Sequence, residues 1–201
     1  MKIQITHTQK LIFLFLVSLL GGCSSIPKQA ESLDNACSIL DTHKKWRSAF
    51  DQTFKKYGVP PHVVMAFMHQ ESRFVHDARP PKKKILGIPT QRPSTAYGYA
   101  QALDSTWDWY RDKTGYRGAK RDHLPDAVDF VGWYINENHR RTGISKWDAA
   151  NQYFAYHDGT TGFLKGTHKE KAWLLNVAQK VNTRASMYRR QLAACYKYPA
   201  L

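Results

Sequence analysis

Val64, Phe67, Met68 and Glu71 recur at i, i+3, i+4 and i+7, the spacing of one helix face. Partial desolvation among apolar neighbours disfavours a carboxylate, raises its pKa and keeps it protonated near neutral pH. That is the state a general acid needs, which makes Glu71 the first candidate for chemistry. The same spacing also suits a glutamate that turns to solvent or pairs with a base, so periodicity alone leaves both readings open. Two further stretches carry tyrosines and polar side chains with one glycine each, Thr95-Ala96-Tyr97-Gly98-Tyr99-Ala100-Gln101 and Tyr153-Phe154-Ala155-Tyr156-His157-Asp158-Gly159. Asp77, Asp104 and Asp158 lie near these stretches at positions that also read as turns or caps. His62, His69 and His76 fall seven residues apart, without the i, i+4 pair of a zinc motif. They are expected in surface or packing roles, and no metal or cofactor is expected. The sequence has no phosphate-binding glycine loop, nucleophile elbow or CxxC.

The elements that must hold these residues read as helices. Trp46, Phe50 and Phe54 recur every four residues until Gly58 and Pro60 end the pattern. Pro60 and Pro61 open the helix that carries Glu71, since proline suits a first turn. Residues 75–94 read as a long basic, proline-rich loop around Lys82, Lys83 and Lys84. Asp104, Ser105 and Thr106 offer caps for a helix to about Arg111. Pro125 starts another, with Val128, Val131, Tyr134 and Ile135 on one side, ending near Gly143. Ser145 is expected to cap a helix carrying Trp147, Ala150 and Phe154, and Gly159, Gly162 and Gly166 to mark a loop. Leu174, Val177, Ala178, Val181, Ala185, Tyr188 and Leu192 keep one face of a long final helix. The fold class is all-α, in one domain.

The chain has 201 residues, 42% hydrophobic and 23% charged. This suffices for one core and excludes a disordered, collagen-like or polytopic membrane protein. Thirty Lys and Arg against 16 Asp and Glu give a formal charge of +14, which points to an anionic partner: nucleic acid, anionic lipid or an acidic polymer. Aromatic side chains are plentiful and suit a core or a sugar groove. Leu11–Leu20 is an apolar run of signal-peptide length, too short to span a bilayer.

Leu20-Gly21-Gly22-Cys23 resembles a bacterial lipobox. The resemblance implies cleavage after Gly22, lipidation of Cys23 and, with Ser24 following, sorting to the outer membrane; a plain secretory signal is the alternative. Processing would remove Lys2 and Lys10 and no acid, so the basic balance persists. Export excludes nucleic acid as a partner and leaves peptidoglycan as the acidic polymer, with anionic lipid heads the other reading. Cys37 and Cys195 then remain, and an oxidising compartment favours their pairing. The expected division is residues 1–22 signal, 23–34 lipidated tether and 35–201 catalytic domain.

Glu71-Ser72-Arg73-Phe74, the Gly98–Gln101 stretch and Ala155-Tyr156-His157-Asp158-Gly159, in this order, resemble the soluble lytic transglycosylase family of lysozyme-like enzymes over about residues 45–190. The resemblance implies a lysozyme-like fold with Glu71 as the catalytic acid/base. Ser72, Gly98, Tyr99, Gln101, Tyr156 and His157 become candidate substrate-binding residues, with Tyr156 as the tyrosine near the acid. Tyr99 and Ala100 depart from the family's Gly-Leu-Met-Gln, and His157 stands where the family has asparagine. Gly98 and Gly159 also suit tight turns, Gln101 and Tyr156 a core or capping role, and Ser72 a brace at the helix end. The reaction implied is non-hydrolytic cleavage of peptidoglycan in the periplasm. The competing readings are a muramidase of the same fold and a non-catalytic peptidoglycan-binding lipoprotein. Lys82–Lys84 form either a solvated turn or a contact for stem-peptide carboxylates.

Overall fold

Apolar side chains repeating at helical spacing build most of the structure, a computed structural model that describes residues 32–42 and 44–198. The apolar run, Cys23 and most of the tether expected from the sequence lie outside these residues. Helix α1 (Ala36–Asp41) starts at Asn35, whose side chain accepts from the backbone N–H of Cys37 and Ser38. Helix α2 (Lys44–Tyr57) buries Trp46, Phe50 and Phe54 as their spacing predicts. Helix α3 (Pro61–Ser72) is buried at every position from Pro61 to Met68. It runs through the middle of the fold, in contact with α2, α5 (Leu124–Thr142), α6 (Ala149–Lys165) and α7 (Ala172–Cys195). Helix α4 (Asp104–Thr114) packs on α5, and a 3-10 turn (Thr167–Glu170) joins α6 to α7.

Polar hubs tie these helices together. The Asp129 carboxylate on α5 accepts from Tyr110 of α4 at 2.7 Å, Tyr57 of α2 at 3.2 Å and Lys56 of α2 at 2.9 Å. Gly132 lets α2 and α5 approach closely, since a Cβ there would sit 2.2 Å from Thr53 Cγ2. Cys37 and Cys195 form a disulfide that joins α1 to the last residue of α7. Among the described residues no helix is long and apolar enough to cross a membrane.

Several local expectations are corrected. The 75–94 segment holds a small antiparallel hairpin, β1 (Lys84–Ile85) with β2 (Ile88–Pro89). Helix α4 continues past Arg111 to Thr114, and no side chain caps its start. Asp148, not Ser145, caps α6, so Trp147 lies before the helix. Ser145 instead accepts from the Trp147 N–H in a local turn. Gly159 interrupts α6 at φ 71° and ψ 164°, but the chain resumes as helix through Gly162 to Lys165.

Candidate active site

Glu71 sits at the end of α3, one residue before the helix closes at Ser72. The left-handed Arg73 (φ 53°) and Phe74 (φ 59°) then turn the chain away. Phe74 is buried and stacks on Trp46 at 5.9 Å, which anchors that turn. Glu71 therefore lies where a rigid, buried helix meets a groove of about 700 Å³. Its floor and walls include Gln101, Phe130, Tyr134, Tyr156, His157 and Asp158, with Pro80 and Ser94 at the rim segment that carries the hairpin.

The Tyr153 hydroxyl donates to Glu71 Oε1 at 2.8 Å. Burial pushes the Glu71 carboxyl up to about 7, against this hydrogen bond, which lowers it. Such a group exists in both protonation states near neutral pH, so it can give a proton and take one. The tyrosine that hydrogen-bonds to the acid is thus Tyr153, while Tyr156, one helical turn further on, is near enough that the Glu71 charge adds to burial in raising its hydroxyl. Tyr156 lines the groove, and its hydroxyl donates to Ala100 O at 2.6 Å. The rings of Tyr153 and Tyr156 both meet Phe67 of α3 at 5.3 Å, so α6 and α3 are keyed together beside the carboxyl.

Of the other sequence candidates, Gln101 and His157 line the groove while Ser72, Gly98 and Tyr99 do not. Ser72 is buried, with its hydroxyl donating to Tyr99 O at 2.7 Å; it braces the end of α3 against the 97–102 turn. Tyr99 is 2% exposed and belongs to the core. Gly98 has φ 76°, and a Cβ there would fall 2.2 Å from Arg121 O. This geometry supports the tight-turn reading of Gly98 over direct substrate contact. Gln101 Nε2 donates to Ala78 O at 2.9 Å and to Gly98 O at 2.7 Å, which leaves its Oε1 for the groove.

Arg121, which no motif includes, holds this turn, and Asp158, inside the third motif, holds the opposite wall. Arg121 donates to Thr95 O at 3.1 Å and Ala102 O at 2.9 Å and pairs with Asp104 at 2.7 Å. Asp158, read as a turn or cap residue, has a side chain only 2% exposed. Its Oδ1 accepts from Lys171 at 2.7 Å and His157 Nδ1 at 2.9 Å, and its Oδ2 from Thr167 at 2.7 Å. Burial alone would raise this carboxyl; the hydrogen bonds from Lys171, Thr167 and His157 outweigh it and hold it far below the usual range. The bond to a carboxylate assigns the His157 proton to Nδ1, so Nε2 is the atom this ring can offer a ligand. His62 meets the Tyr198 hydroxyl at 3.0 Å and His76 pairs with Asp77 at 3.8 Å. Among the described residues no group of three His, Cys, Asp or Glu could hold a metal.

The close approach at Gly98 gives a direct test. We expect Gly98→Ala to lower the melting temperature by roughly 4–8 °C in a thermal scan. Left-handed strain and a backbone clash add to 2 kcal/mol or so, and 1 kcal/mol corresponds to roughly 2–4 °C in a chain of this size.

Residues 11–195 match the family model described as Transglycosylase SLT domain. No curated protein matches the chain.

Proposed function

We propose, from the premise that the chain belongs to the Transglycosylase SLT domain family, that Glu71 is the single acid/base of a peptidoglycan lytic transglycosylase. The lysozyme-like helical fold and a transglycosylase-type function on peptidoglycan come with the family. The finer reading is cleavage of the β-1,4 bond between N-acetylmuramic acid and N-acetylglucosamine to leave 1,6-anhydro ends. Glu71 protonates the leaving oxygen as the C1–O bond breaks, and the substrate's N-acetyl group stabilises C1. The resulting carboxylate then takes the proton of the muramic C6 hydroxyl as that oxygen closes on C1. The protons balance, Glu71 ends as it began, and no water is consumed.

One observation carries this reading. Among the described residues the groove is lined by two carboxylates, Glu71 and Asp158. Ordinary glycosidases use two, one as acid and one as base or nucleophile. Asp158 already accepts from Lys171, Thr167 and His157, which supports a mechanism that runs on Glu71 alone. Mass spectrometry of purified sacculi after incubation with the protein tests it. Anhydro-muropeptides, one water lighter than hydrolysis products, are expected. Hydrated ends instead would make the protein a muramidase, and no release would make it a binding protein.

A pH profile adds a second check. The first step needs protonated Glu71, so kcat/KM should fall about tenfold per pH unit above about 7. Tyr153→Phe removes the hydrogen bond that lowers this carboxyl and should move the alkaline limb to higher pH. A limb that stays in place would detach Tyr153 from the acid.

For the N-terminal segment we read Cys23 as the lipid-bearing residue, with the domain of residues 35–201 held in the periplasm at the outer membrane. The lipobox-like Leu20–Cys23 stretch supports this. Metabolic labelling with a radioactive fatty acid, lost in Cys23→Ala, is the measurement that checks it.

A further inference from the structure

We propose that the hairpin spanning Lys82–Pro89 is a bilayer-docking element whose partner is an anionic phospholipid surface. Its tip carries three large aliphatic side chains in solvent: Ile85 is 65%, Leu86 98% and Ile88 67% exposed. The register Lys84↔Pro89 and Ile85↔Ile88 leaves Leu86 and Gly87 as a two-residue turn. Both have positive φ, 49° and 80°, a turn for which Asn-Gly or Asp-Gly is the favourable choice. Leu86 is thus neither buried nor in a backbone region that suits it, and folding gains nothing from a leucine there. Strain at an exposed apolar residue points to a contact made outside the fold.

The stem that carries this tip is braced. Thr90 donates to Lys83 O through both its N–H, at 2.7 Å, and its hydroxyl, at 2.9 Å. Arg92 donates to Pro80 O across the base. Lys82, Lys83 and Lys84 are exposed directly behind the apolar tip. The order of chemistry along the hairpin, aliphatic and then cationic, matches a bilayer read outward from hydrocarbon to phosphate. Lysine stems are long enough to keep the ammonium at the headgroups while the tip goes deeper.

A glycan fits less well. The tip has no aromatic face or carboxamide to meet a sugar, and none of the three lysines lines the groove. A convex tip would also need a matching pocket on any protein partner, whereas hydrocarbon accepts it without one. Pro80 and Ser94 line the groove at the base of this segment, so docking through the tip sets the groove entrance beside the bilayer.

The test uses the full chain and vesicles that carry a photoactivatable group in the acyl chain, with adducts mapped by mass spectrometry. Vesicles of phosphatidylglycerol and phosphatidylethanolamine should give adducts at Ile85–Ile88. Pure phosphatidylcholine should lower the yield at least about tenfold, and so should the triple change Ile85→Ser, Leu86→Ser, Ile88→Ser. Changing Lys82, Lys83 and Lys84 to Gln should lower hairpin labelling at limiting lipid by about 10²-fold, at roughly a factor of five per lysine near an anionic surface. Unchanged circular dichroism and glycan cleavage show that these variants fold. The proposal is overturned by adducts that never map to the hairpin, or by equal hairpin labelling in the variants. Protection of the hairpin by sacculi without lipid adducts, or hairpin-to-hairpin cross-links between copies, would assign the tip to glycan or to a second copy and overturn it as well.

Discussion

Glu71→Gln is expected to abolish glycan cleavage and to make the protein more stable at alkaline pH. The amide keeps the size of the side chain and an oxygen that can accept from Tyr153, but it has no proton to exchange. Loss of a positioned acid/base typically costs 10²–10⁴-fold in rate. The stability half follows from linkage. The Glu71 carboxyl titrates near 7 in the fold and near 4.3 in an unfolded chain, so between those values the folded state holds more protons. Stability therefore falls as pH rises through that window, by about 4 kcal/mol at full ionisation, using 1.36 kcal/mol per pH unit. Glutamine removes that penalty. Thermal scans at pH 4 and pH 8 should show the variant gaining on the wild type only at the higher pH. An inactive variant with no alkaline gain would mean that Glu71 is not held in a desolvated site. A fully active one would remove it from the mechanism.

The second large effect concerns the Cys37–Cys195 bond. Its cysteines are 158 residues apart, so the cross-link restrains nearly the whole described chain in the unfolded state. On the chain-entropy account a loop of this length stabilises by roughly 4–5 kcal/mol. The double change Cys37→Ser, Cys195→Ser should lower the melting temperature by about 10 °C or more, and reductant should reproduce the shift in the wild type. Without the bond α1 still has Gln191, whose side chain accepts from Ala36 N–H at 2.9 Å and donates to Asp34 O at 2.8 Å. Fraying is therefore expected to begin at α1 and the end of α7, neither of which lines the groove. Cleavage measured at 25 °C should change little while heat inactivation accelerates.

What could be read from the sequence was what one segment decides within itself. The stripes of Trp46, Phe50 and Phe54, and of Leu174 through Leu192, have one face to bury, so period alone places α2 and α7. The helix that carries Glu71 announced itself by Pro60–Pro61 and its apolar run. The misreadings have a common cause, which is distance along the chain. Asp158 looks like a turn residue until Lys171, thirteen residues on, is found paired with it. Gly98 reads as a turn glycine or a substrate contact until Arg121 O is found 2.2 Å from where its Cβ would be. Tyr156 carries the motif resemblance and does lie near the acid, yet the phase of α6 against α3 gives the hydrogen bond to Tyr153, and helical phase between two elements is not written in either one. The 84–89 hairpin has no hydrophobic alternation, since both of its faces are exposed, so it left no strand signal.

The direction in which α3 enters the groove has a consequence of its own. Peptide dipoles align along a helix and leave a partial negative charge at its C-terminal end. Glu71 stands at that end, next to Ser72, so the backbone opposes its ionisation in addition to the apolar walls. The effect at such a terminus is worth roughly 0.3–1 kcal/mol, up to most of a pH unit. A carboxyl presented to the same groove from the first turn of a helix running the opposite way would feel the reverse field and release its proton more readily. The polarity of chain entry is thus part of the acid, and grafting this site onto another scaffold would have to preserve the sense of the helix as well as the position of the side chain.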